Sequence, residues 1–315
     1  LLIRGPQGIG KLALARALAN ALLCESPGPD GAACGTCVAC GWTGQGNHPD
    51  FRMLEPPALS VPEDDAAAAD KRERGAAQIP VEQARALSEL ISVSSHRGGA
   101  RIVLIHPAES LNVHAANALL KNLEEPPPRM YFLLVSHRWH HLLPTIKSRC
   151  QQLALPLPPA AVAGAWLRRQ GVPDAELALA QAGGAPLMAA AFDDDYWKQR
   201  GEFLDAISRK GFDALALAER LRDQPPGRVL GWLQRWAFDL ALHAATGKVG
   251  YNPDRTKALA AASGNVGLLG AVRFLRHVVR LQRVVHHPLN PRLFLEDLLL
   301  GYAALLKGER PIQAF

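Results

Sequence analysis

The chain has 315 residues, 48% hydrophobic and 20% charged, proportions ordinary for a globular protein with room for two or three domains. No uninterrupted apolar run approaches the roughly 18–20 residues of a membrane span, and no basic-then-apolar leader with a small-residue cleavage site opens the chain. The expectation is therefore a cytoplasmic protein without a membrane partner. A net charge of +6 and a pI near 9.2 suit phosphate-bearing neighbours, although a plain solvated basic surface fits them equally.

To about Leu155 the chain reads as βα units. Leu1-Leu2-Ile3 is the end of a strand; with no Met before it, a leading piece is expected to be missing. Lys11 to Leu23 carries apolar residues at helical spacing, in Leu14, Ala15, Leu18, Ala19 and Leu22. Phe51 to Leu54 reads as a short strand. Pro56 to Gly75, with Glu63-Asp64-Asp65, lacks core periodicity and reads as a mobile insertion. Ile102 to Ile105 and Tyr131 to Val135 are continuous apolar runs, the pattern of parallel strands covered on both faces. Asn117 to Glu125 reads as a helix that Pro126-Pro127-Pro128 must stop. After Pro156-Leu157-Pro158-Pro159 no strand-like runs remain. The rest is helical, including Leu268 to Val285, Leu298 to Leu306 as a core helix despite Gly301, and a helix opening at Pro291 behind Asn290 as its N-cap.

Gly5-Pro6-Gln7-Gly8-Ile9-Gly10-Lys11, between a strand and a helix, has the P-loop spacing in its proper context. Its glycines let backbone N–H groups cradle phosphates, and Lys11 reaches the outer ones. The Mg²⁺-holding hydroxyl expected next is replaced by Leu12. The carboxylates expected after the strand Ile102–Ile105 are replaced by His106-Pro107, and Glu109 lies too far along unless repositioned. A hydroxyl and two carboxylates missing together argue against ATP hydrolysis.

Cys24-x9-Cys34-x2-Cys37-x2-Cys40 has the ligand types and steps of a tetrahedral thiolate zinc site. Disulfides, reduced core cysteines and an iron–sulfur cluster remain the alternatives. His48 reads as a loop residue and Cys150 as a core cysteine. Ser148-Arg149-Cys150 places an arginine at the exit of the strand units, where it projects either as a plain surface residue or as a phosphate-binding finger toward a neighbour.

Taken in order, these features resemble the bacterial clamp-loader subunits of the AAA+ class. The resemblance rests on the cysteine cluster behind the P-loop helix, His48-Pro49-Asp50, the string Ala115 to Pro127 with Leu119-Leu120-Lys121-Asn122-Leu123-Glu124-Glu125, and Pro144-Thr145-Ile146 followed by Ser148-Arg149-Cys150. It covers residues 1 to about 190 well. Leu12, His106-Pro107 and Leu187, in place of a sensor arginine, resemble the delta-prime family of DNA polymerase III rather than its ATP-hydrolysing gamma/tau relatives.

That resemblance implies a RecA-like α/β domain with a parallel sheet and zinc module (1–156), a small helical lid (157–192) and an all-helical collar (193–315). It implies a subunit without ATPase activity of its own, whose Arg149 acts in trans on a gamma/tau ATP site while a sliding clamp is loaded on primed DNA. Zinc would sit on Cys24, Cys34, Cys37 and Cys40. Gly5, Gly8, Gly10 and Lys11 leave residual ATP or ADP binding open. The implied partners are gamma/tau, delta, the clamp and primer-template DNA. The competing readings are an active gamma/tau-like ATPase and a zinc-dependent nucleic-acid-binding module.

Overall fold

Strands and helices alternate to residue 154, and among the described residues only helices follow. The structure, a computed structural model, describes residues 1–59, 78–92, 99–209, 211–282, 285 and 290–308. Most of the expected insertion, from residue 60 onward, therefore lies outside the described residues. The chain divides into two compact units, Leu1–Leu157 and Pro158–Phe315.

The first unit is built on a five-stranded parallel sheet. Its strands are β1 (Leu2–Arg4), β2 (Phe51–Leu54), β3 (Arg101–Ile105), β4 (Met130–Ser136) and β5 (Gln152–Ala154), in spatial order β2-β3-β4-β1-β5. Leu2 pairs with Leu134 on one side and Gln152 on the other, and Phe51 pairs with Ile102. Alternation explains the unbroken apolar runs. Leu2, Val103, Ile105, Phe132 and Leu134 enter one buried cluster, while Ile3, Ile102, Leu104, Leu133 and Val135 enter another.

Helix α1 (Lys11–Leu23) covers the second face through Ala15, Ala19 and Leu23. The short α2 (Val38–Gly44) follows it. The first face is covered by α3 (Val81–Ser92) and α4 (Val113–Glu124). Helix α4 starts at Val113, four residues before the sequence suggests. The cause is local: the Asn112 side chain accepts the Ala115 N–H at 2.7 Å and caps the helix earlier. Because the strands run parallel, the P-loop after β1, His106 after β3 and His137 after β4 all lie at their carboxyl ends, where α/β sheets bind ligands.

In the second unit, α6 (Ala160–Arg169), α7 (Ala175–Gln181) and α8 (Pro186–Ala189) share a small apolar cluster around Leu167 and Ala178. A larger cluster, around Trp232, Trp236, Phe274 and Tyr302, joins α9 (Asp194–Ser208), α10 (Ala214–Arg220), α11 (Pro226–Thr246), α12 (Thr256–Leu281) and α13 (Pro291–Leu306). The indole N–H of Trp236 donates to the Tyr302 hydroxyl at 2.8 Å within it. The two clusters are tied by buried Arg200 of α9. Its guanidinium donates to Gln181 of α7 at 3.1 Å, to Asn252 at 2.8 Å and to both oxygens of Asp254.

Asn290 accepts the N–H groups of Arg292 and Leu293, the cap expected from sequence. Helix α12 begins well before Leu268 and is interrupted at Gly267, whose φ of 67° breaks the turn. Residues 283–284 of the expected helix lie outside the described residues. By length and composition the stretch 253–281 is able to cross a membrane; its Leu259, Ala271, Phe274, Val278 and Leu281 are nevertheless buried in the larger cluster.

Candidate functional site

The P-loop is formed as a tight turn. Gly5 approaches the backbone beyond β5 so closely that a Cβ there would lie 2.2 Å from the Leu155 carbonyl oxygen. Gly10, at φ 93°, turns the chain into α1. Both positions require glycine. Lys11 is buried, and its ammonium donates to the Pro6 carbonyl within the loop itself. Burial lowers its pKa to about 8, against the opposing pull of Glu109. Leu12 points away from this chemistry and packs on the apolar cluster of α1 and the sheet.

Across the mouth of the sheet, His106 and His137 bring their Nε2 atoms to 3.1 Å, with the rings edge to face. Burial, followed by the neighbouring His137, depresses His106 to about 4; burial and then the charge of Lys11 lower His137. Both shifts favour the neutral imidazole. Glu109 is engaged by the backbone. Its carboxylate accepts the backbone N–H groups of His137, at 3.0 Å, and of Arg138, at 2.9 Å, which fixes the loop after β4. The nearest acid is thus engaged by the backbone, beside the paired imidazoles. Ser136 is fully buried, and its hydroxyl has no partner among the described residues. His137 and Ser136 escape a sequence reading because they merely end an apolar strand.

Beyond Arg138 the chain is anchored by Trp139. The Arg4 guanidinium lies 4.3 Å from its ring centroid, and Lys147 approaches it at 5.5 Å. Helix α5 (Pro144–Arg149) follows, with Pro144 in its first turn and Ile146 buried. Arg149, its last residue, is not extended into solvent. Its Nε and Nη2 donate to Glu124 at 3.2 Å each, and its Nη1 donates to the Thr145 carbonyl at 3.2 Å. Cys150 packs against the first-face cluster, and burial raises its thiol pKa.

The four other cysteines converge. Cys24 at the end of α1, Cys34 and Cys37 in the following loop and Cys40 in α2 bring their sulfurs within 4.8 Å of one another. The Cys24–Cys37 and Cys34–Cys40 pairs are 3.9 Å apart, too far for a disulfide. A tetrahedron with 2.3 Å metal–sulfur bonds has edges of about 3.8 Å, so the spacing fits a single thiolate-bound ion. The N–H groups of Cys34, Cys37 and Cys40 point at the sulfurs of Cys24, Cys34 and Cys37 at 3.3–3.4 Å, which favours thiolates. Donors from the Thr36 backbone and side chain lower Cys34 to about 6, whereas burial raises Cys40 to about 12. His48 stands outside this set. It is buried against Trp42, and its Nδ1 accepts the Asp50 N–H.

The family model "DNA polymerase III, delta subunit" matches residues 1–159, and a second model, for the carboxyl-terminal part of that family, matches 194–303. The DNA polymerase III subunit delta' of Pseudomonas aeruginosa is 39% identical over 254 residues, 78% of this chain and 72% of its own length. The chain belongs to the delta-prime family of DNA polymerase III subunits. The Yersinia pestis delta' protein extends the similarity over 97% of the chain, at 32% identity and 89% of its own length. The tau subunit of Salmonella typhimurium is 36% identical over 154 residues, which is 49% of this chain and 21% of that protein. This chain carries Gly5, Gly8, Gly10 and Lys11 together with Leu12, His106 and His137.

Proposed function

We propose that this chain serves a bacterial clamp loader as a subunit without ATPase activity of its own, lending Arg149 to the ATP site of an adjacent gamma/tau subunit while the sliding clamp is loaded on primed DNA. The observation that carries this reading is the contrast between the two ends of the site. Its own phosphate loop faces two histidines and a glutamate already occupied by backbone N–H groups. Arg149 stands intact at the end of α5. A finger serving a neighbour needs no Mg²⁺ ligands; it needs a fixed cation where charge develops on the transferred phosphoryl group, and guanidinium is always charged.

In this reading residues 157–192 act as a lid and 193–315 as a collar that joins gamma/tau and delta in the ring. Cys24, Cys34, Cys37 and Cys40 hold one structural zinc, a closed four-thiolate site with no place for a catalytic water. Lys11 and the glycines retain the means to grip phosphates without chemistry.

The test is ATP turnover by the isolated chain. No turnover above background is expected, and Lys11→Ala should change nothing. Turnover that Lys11→Ala abolishes would return the chain to the gamma/tau kind of ATPase. Metal analysis should find about one zinc per chain; an iron chromophore would contradict the zinc assignment.

A further inference from the structure

Resting on the assignment of Arg149 as a finger, we infer that Glu124 is a releasable latch, which holds the Arg149 guanidinium on its own domain until the phosphates of a neighbouring nucleotide displace it. The hydrogen bonds make the case. All three guanidinium nitrogens are engaged within the first unit: Nε and Nη2 on Glu124, Nη1 on Thr145 and, at 3.5 Å, on Ser148. Turned inward in this way, the fork is not free to grip a phosphate. Engagement in trans requires at least the Glu124 contacts to break.

The contact is built to break. Both N–H groups converge on one oxygen, Oε2, at 3.2 Å, instead of forming the two parallel bonds of a strong arginine–carboxylate pair, and this is longer than charge-assisted bonds usually are. Glu124 is 59% exposed, so water screens the attraction. A triphosphate carries more charge than one carboxylate and offers the fork two oxygens, which favours the exchange.

The position of Glu124 also calls for a reason other than helix stability. It is the last residue of α4, followed by Glu125 and three prolines. The carboxyl end of a helix is its negative end, where acids are disfavoured. Lys121 supplies the stabilising charge of that turn, whereas Glu124 opposes it and meets Arg149.

Glu124→Gln tests the latch in a complex reconstituted from this chain, gamma/tau and delta subunits, with clamp and primed DNA. The substitution keeps the side-chain shape at an exposed site, and assembly is verified by size-exclusion chromatography. The expected result is a half-saturating ATP concentration ~2- to 5-fold lower, in keeping with the modest strength of exposed ion pairs, with the maximal rate retained. Arg149→Ala should lower the rate, and adding Glu124→Gln to it should change nothing further. If Arg149→Ala has no effect, the finger assignment falls and the latch with it. If Arg149→Ala slows the complex but Glu124→Gln leaves the ATP dependence unchanged or lowers the maximal rate, the finger stands and the latch is overturned. An effect of Glu124→Gln that persists without Arg149 likewise overturns it.

Discussion

At the scale of single residues, the mouth of the sheet replaces charge with neutral polarity. His106 is held neutral by burial, then by His137, and its pKa falls from 6.5 to about 4. A base whose folded pKa is lowered binds fewer protons folded than unfolded in the interval between the two values, so stability falls as pH drops through it. The full contribution is present above 6.5 and is lost progressively toward about 4. Urea denaturation across that interval should therefore show a steeper loss in the wild type than in His106→Asn, which has no imidazole to protonate. Parallel profiles would mean that the histidine pair does not govern acid sensitivity. Glu109 has a different duty: it holds two backbone N–H groups of the loop that leads to Trp139 and α5. Glu109→Ala leaves those donors unpaired, at about 1–3 kcal/mol, which a thermal melt would register.

At the scale of elements, the cysteine module and the Arg200 network carry the sharpest expectations. The stretch from Cys24 to Gly44 contributes little to a core; of its helix α2 only Ala39 is buried. If the four thiolates hold zinc as proposed, its order comes largely from the ion. Chelation, or Cys37→Ser, should open residues 24–44 to proteolysis while most of the helical signal persists. An unchanged digestion pattern would show that the loop stands without metal. Arg200→Met removes the buried cation that satisfies Gln181, Asn252 and Asp254. The cost should be about 3–5 kcal/mol in chemical denaturation, and a loss near zero would mean that the two helical clusters do not depend on this link.

These elements also show what could be read from sequence. Strands β3 and β4 are legible because parallel strands are apolar on both faces, and α1 because its spacing is helical. The cap at Asn290 was legible from its Pro291. The early start of α4 was not, since it turns on one Asn112 hydrogen bond, nor was the break at Gly267 inside a long apolar helix. The spacing offered a four-sulfur cluster beside the disulfide and core-thiol readings, and the sulfurs do converge. The Arg149–Glu124 pair joins residues 25 positions apart on two helices, and no local pattern announces it.

At the scale of the molecule, the proposed function divides the labour of an ATP site between two subunits, with this chain giving an arginine. The most direct measurement is the DNA- and clamp-stimulated ATP turnover of the reconstituted complex carrying Arg149→Ala, with Arg149→Lys beside it. Arginine fingers contribute roughly 10³–10⁵ in rate at the site they serve, diluted here by the other ATP sites of the ring. The account predicts a normally assembled, zinc-loaded complex with slowed turnover and clamp loading, and poor rescue by lysine, which lacks the planar fork. An Arg149→Ala complex that assembles and loads clamps at the wild-type rate would contradict it.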